Sequence, residues 1–155
     1  MADDHDPNQR PNQRSNQGPP EPDDRDYRRL LELRTGLRQF LRWSEQQADA
    51  VGITPAQHQL LLAIRGHPRR EPPTIGDVAD SLMLRHHSAV GLVDRAVTAG
   101  LVHRRSDPVD RRVVRLQLTA LGARRLRQLS GAHLEELRRL APRMRSLWAN
   151  LDSTS

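Results

Sequence analysis

A chain of 155 residues suits one domain of ordinary size, and a hydrophobic content of 35% with a single Phe and a single Tyr requires a core of Leu, Val and Ala. Its net charge of +6 rests on 25 arginines and no lysine; between Arg85 and Arg115 seven Arg stand against three Asp, a clustering that favours an anionic polymer as partner over general solubility. The lack of cysteine excludes disulfides, thiolate metal sites and thiol redox sensing. The N-terminus, MADDHDPNQR, offers no apolar run for a signal peptide, and no stretch approaches about 18 uninterrupted apolar residues, so a cytoplasmic location without membrane contact is expected.

Residues 1–24 repeat PNQR, PNQR and SNQG before GPPEPDD, a composition that cannot bury enough apolar surface to order itself. A disordered tail is expected there, with an electrostatic arm through Arg10 and Arg14 as the alternative. From Asp26 to about Val51, Tyr27, Leu30, Leu31, Leu37, Phe40, Leu41 and Ala48 recur by threes and fours, as on one face of a helix. Thr54-Pro55-Ala56-Gln57 is a capping-box start with proline at the first helical position, opening a second helix through Leu60, Leu61 and Ile64 to Gly66. Thr74-Ile75-Gly76-Asp77 opens a third through Val78, Ala79 and Leu82, and a fourth runs from about Arg85 to Ala99, ending at Gly100.

The period then changes. Within Leu101 to Thr119, Val114, Leu116 and Leu118 alternate with Arg115 and Gln117, giving a strand with one apolar and one basic face. It returns from a turn, Asp107-Pro108-Val109-Asp110-Arg111-Arg112, in which proline fixes φ, aspartate can accept from its own backbone, and two guanidiniums are left at the tip. Thr119 then caps a long helix holding Leu121, Leu126, Leu129, Leu134, Leu137 and Leu140, and Pro142 is expected to begin a last one through Met144, Leu147 and Leu151.

In the fourth helix Ala89, Leu92, Val93 and Ala96 form a buried stripe, and the opposite face carries His87, Gly91, Asp94, Arg95 and Thr98. With the preceding helix laid across it, this is a helix-turn-helix whose first residues, Arg85, His86, His87 and Ser88, meet base edges, while Gly91 permits close backbone approach. The expected fold is mainly α with a small β-hairpin wing: a winged helix-turn-helix with N- and C-terminal dimerisation helices. The division is a tail over 1–24, a dimerisation helix over 25–52, a DNA-binding region over 53–118 and dimerisation helices over 119–155. The flanking leucine seams are more than a small winged helix covers, so a two-fold homodimer is expected, with recognition helices roughly 34 Å apart. The DNA contacts expected on the wing are Arg104, Arg105, Asp110, Arg111, Arg112 and Arg115.

The run from Ile53 to Gly122 resembles the MarR family of bacterial winged-helix transcriptional regulators. The resemblance rests on ITPAQHQLLLAI, TIGDVADSL and LVDRAVTAGLVHRRSDPVDRRVVRLQLTALG, where Leu-Val-Asp-Arg, Gly-Leu-Val, Asp-x-Arg and Leu-Thr-x-x-Gly recur at family spacing. It implies an obligate dimer on a palindromic operator of double-stranded DNA, tuned by a small anionic or phenolic effector. It also implies that Arg112 enters the minor groove, that Asp110 orients it, and that Arg95 supports the wing or touches phosphate. Where the family has a small polar cap and then a Ser or Thr with a long polar residue, this chain has Arg85, Val90 and Gly91, so operator sequence does not transfer.

Among His58, His67, His86, His87, His103 and His133, adjacent His86 and His87 cannot both face one ion from a helix and no pair shows the i, i+4 spacing with carboxylates that a zinc site would want, so neither a metal nor another cofactor is expected. No nucleophile elbow, phosphate loop or dinucleotide glycine motif points to an enzyme. The expected function is a sequence-specific transcriptional regulator, a repressor in the first reading; an architectural DNA- or RNA-binding winged helix without ligand control is the alternative.

Overall fold

The computed structural model describes residues 21–152. The expected tail, with Arg10 and Arg14, lies outside the described residues apart from its last positions. Those already serve the first helix, α1, which spans Asp24–Ala50: Asp23 accepts from the amides of Arg25 and Asp26, and Asp26 answers with a bond to the Asp23 amide. The same reciprocal box opens α2, Pro55–Arg65, through Thr54 and Gln57, and α3, Ile75–Ser81, through Thr74 and Asp77. These starts are local chemistry, which is why the sequence announces them.

Helix α4 spans His86–Thr98 and stops where Gly100 takes φ +70, letting the amides of Gly100 and Leu101 reach back to Val97 and Ala96. The turn into α4 is made by Met83 at φ 52, a left-handed position unusual for a side chain. Strands β1, Val102–Ser106, and β2, Val114–Leu118, pair antiparallel, with Val102 opposite Leu118 and Ser106 opposite Val114. The 72–74 segment flanks β2 on its other edge, where the Leu116 amide donates to the Pro73 carbonyl and Thr74 bridges Arg115.

Helix α5 spans Ala120–Asp152 without a break. The expected restart at Pro142 is therefore corrected: the proline lies inside one long helix. Pro142 is exposed, so the Arg138 carbonyl that it leaves without an amide partner sits on the solvated side and the helix continues through it.

The core is aliphatic, as composition required: Leu60, Leu61, Val78, Val93, Val102, Leu116 and Leu129 are almost fully buried. Fully buried Ala48 from α1 and Leu126 and Leu129 from α5 join that cluster, tying the long helices to the α2–β2 lobe. Gly122 sits where a Cβ would overlap the Leu101 carbonyl, so α5 can leave β2 and cross the start of β1 only with glycine there.

Candidate nucleic-acid interface

The stripe of Ala89, Leu92, Val93 and Ala96 is buried and holds α4 against α3 and β1. This leaves the rest of the helix outward: Arg85, His86, His87 and Ser88 are exposed around its first turn, and Asp94 and Arg95 further along. Arg85 is the N-cap but makes no side-chain cap bond, unlike Asp23, Thr54 and Thr74. The amides of His86 and His87 therefore keep their donor capacity for an outside acceptor, while that of Ser88 bonds the Arg85 carbonyl. Gly91 does not lie open. The Arg95 guanidinium passes over it, with Nη1 3.4 Å from where a Cβ would stand.

The hairpin tip is built by two aspartates. Asp107, 8% exposed, accepts from the amides of Val109 and Asp110 through Oδ1 at 2.8 and 3.1 Å, and from the Arg115 Nε through Oδ2 at 2.7 Å. The Asp110 amide, then Arg115 and the Val109 amide, hold the Asp107 carboxyl below its ordinary range. Asp110 in turn accepts from the backbone amide of Arg112 at 3.0 Å. Its carboxylate thus positions the main chain of Arg112 rather than its guanidinium, which departs from the role implied by family resemblance.

The six expected wing residues divide accordingly. Arg111 and Arg112 are exposed at the tip and, like Arg105, make no ion pair among the described residues. Arg104 reaches the Asp94 carboxylate at 2.6 Å and couples the wing to α4. Arg115 is turned inward, its Nη1 donating to the Pro72 carbonyl at 3.0 Å while its Nε holds Asp107. With two of its donors held inside the protein, Arg115 braces the hairpin, unlike Arg111 and Arg112, whose guanidiniums make no ion pair among the described residues. The alternation of β2 shows that Arg115 lies opposite the Leu116 face, but not that a carboxylate and a carbonyl wait there.

A second cluster escaped the sequence. His58 on α2, 7% exposed, packs against His133 of α5 with ring centroids 4.8 Å apart and the rings inclined at 59°. Ser44 of α1 lies 2.7 Å from His133 Nε2, and the Leu129 carbonyl lies 2.8 Å from its Nδ1. A carbonyl only accepts, so His133 Nδ1 carries a hydrogen and donates it to Leu129, while Nε2 shares a hydrogen bond with the Ser44 hydroxyl. Phe40 and Trp43 of α1 pack on the same ring. Burial first, then the His133 charge, lowers the His58 pKa from 6.5. Phe40, Ser44, His58 and His133 line an apolar cavity of about 560 Å³ with Leu41, Leu62, Leu134 and Leu137. Residues so far apart in sequence give no spacing signal. Among the described residues no group of three His, Asp or Glu is placed to hold a metal ion, and no helix is long and apolar enough to cross a membrane.

The sequence profile of the MarR family matches residues 51–113, the stretch that contains α2 to α4 and the hairpin tip. The same architecture occurs in a complex of MepR with DNA from Staphylococcus aureus, at 19% identity and TM-score 0.65 over 80% of this chain and 93% of that one. The fold is that of the MarR family. A MarR-family transcriptional regulator from Streptomyces coelicolor, AbsC, is similar at 20% identity and TM-score 0.65 over 78% of this chain and 81% of that one. YusO of Bacillus subtilis is similar at 19% identity and TM-score 0.60, over 81% and 93%. A comparison with curated proteins returns no significant match. The MarR-type arrangement accounts for the order of elements here: long α1 and α5 flank a lobe whose α4 and wing point outward together.

Proposed function

We propose that this MarR-type chain regulates transcription as a repressor, binding a palindromic operator as a homodimer, with occupancy tuned by a small aromatic or anionic ligand. The observation that carries the reading is the pairing of an uncapped, exposed α4 start with a wing tip whose Arg111 and Arg112 have no ion-pair partner among the described residues. A helix start of this kind suits the major groove and phosphate, and a free guanidinium on a narrow tip suits the minor groove. In this reading Arg85, His86, His87, Ser88, Gly91 and Arg95 form the helix side of the interface, and Arg104, Arg105, Asp110, Arg111 and Arg112 the wing side. Residues 53–118 bind DNA, while 25–52 and 119–155 assemble the dimer.

The dimer is supported by the leucines that the single chain leaves uncovered: Leu30, Leu31, Leu37 and Leu41 on α1 and Leu134 and Leu137 on α5 are each about half exposed or more. Such a seam is a contact surface for a second copy. Ligand tuning is supported by the cavity beside His58 and His133, which joins α1, α2 and α5. Footprinting on DNA selected from a random pool tests the proposal. A protected palindrome of about 20 base pairs is expected; even coating without a preferred site would favour an architectural nucleic-acid binder instead.

A further inference from the structure

A second concavity lies away from both the wing tip and the apolar cavity. It has a volume of about 440 Å³ and is walled by Arg65, Arg69 and Arg70 at the end of α2 and in the following loop, by Arg127 of α5, and by Leu116, Gln117 and Leu118 at the foot of β2. His67 and Glu71 also line it, so one carboxylate faces four guanidiniums. Arg69 is spoken for by its ion pair with Asp77. Arg65, Arg70 and Arg127 make no ion pair or hydrogen bond among the described residues. His67 Nε2 is sealed from solvent without a hydrogen-bond partner, which is costly for a polar atom. The floor is aliphatic: half-buried Pro72, Leu118 and Ala123 face the concavity over buried Ile64, Pro73 and Leu116.

We propose that this pocket binds a small organic oxyanion, its charged head forked by Arg65, Arg70 and Arg127 and its apolar body laid on Leu118, Pro72 and Ala123. Guanidiniums present paired donors that match the oxygens of a phosphate or carboxylate, and crowded like charges gain most when a shared anion arrives. The aliphatic floor selects an anion with an organic body over a bare ion. The site lies at the foot of the hairpin, roughly 13 Å along β2 from the turn, so it is separate from the wing-tip arginines. Because Arg65 and Arg70 belong to the DNA-binding lobe and Arg127 to α5, an occupant would tie the two together.

Phenyl phosphate, titrated into the full chain by calorimetry, is the probe, with inorganic phosphate and phenol beside it. Phenyl phosphate is expected to bind more tightly than either fragment, and the His67 ring resonances to shift with it. The double variant Arg65→Gln, Arg127→Gln should weaken it about tenfold or more, while Arg124→Gln, on the same helix but outside the pocket, leaves it unchanged. Arg127→Lys guards against a folding artefact, since it keeps the charge and loses only the fork; it should fall between wild type and the double variant. Equal binding in wild type and double variant, or equal binding of phenol, would overturn the proposal. So would a double variant that loses DNA affinity yet keeps phenyl phosphate, which would make the patch a nucleic-acid contact. None of the calorimetric arms uses DNA, so their outcome is independent of whether the chain binds an operator.

Discussion

At the scale of single residues, carboxylates decide which wing arginines are free to meet a partner. Asp94 takes Arg104, Asp107 takes Arg115, and Asp110 takes only the Arg112 amide, leaving the guanidinium outside. Arg112→Ala should therefore weaken operator binding about tenfold with no change in hairpin order, and more than Arg111→Ala, whose backbone no carboxylate fixes. Arg115→Ala should also weaken binding, by another route: it leaves Asp107 and the Pro72 carbonyl without their cation, so the tip loosens. Amide exchange at Val109 and Asp110 separates the two cases. It should accelerate in Arg115→Ala and stay at wild-type rate in Arg112→Ala; equal exchange in both would mean that Arg115 is not the brace of the wing. The sequence revealed the turn and its arginines because Asp-Pro and period-two alternation are local signals. It did not separate brace from contact, since that depends on a carbonyl in the 72–74 segment.

At the scale of elements, what was legible is what a few neighbouring residues determine. Apolar periodicity placed α1, two threonine capping boxes opened α2 and α3 and a glycine stop ended α4, while Pro142 misled because proline marks a helix start only when the preceding turn has reason to end. The motif glycine at 122 had a legible position but no legible reason; the reason is the Leu101 carbonyl. Gly122→Ala should cost about 1–3 kcal/mol by thermal unfolding, because backbone rather than a movable side chain occupies the space.

The histidine pair joining α1, α2 and α5 gives the same region a pH dependence. His58 is held neutral in the fold, its pKa lowered from 6.5, so the unfolded chain binds the proton more readily. Its contribution to stability is complete above about pH 6.5 and is lost as pH falls from there toward the folded value. Melting temperature should drop between pH 7.5 and about 5, and His58→Gln should flatten that decline. A wild-type decline that His58→Gln leaves as steep would show that another group titrates.

At the scale of the whole molecule, the proposed DNA contacts and the uncovered apolar surface lie on different elements: the exposed arginines of the interface are on α4 and the wing, and uncovered leucines line the long helices that flank the lobe. In the proposed dimer that separation makes DNA affinity a property of two lobes held at one spacing, so assembly and binding must fail together. Leu37 and Leu41 stand one turn apart on α1 and are 47% and 53% exposed, so replacing both with Glu places two charges on the seam without opening the core of the lobe. The variant should sediment as a monomer with wild-type circular dichroism in its DNA-binding lobe. Wild-type affinity should fall with salt at a slope of about −5 in log K against log salt, for roughly six neutralised phosphates, and the monomer should show about half that slope. A variant that stays dimeric would place the interface elsewhere. A monomer that keeps the full slope would mean that one lobe supplies all the phosphate contacts, and the two-fold reading of the operator would fall with it.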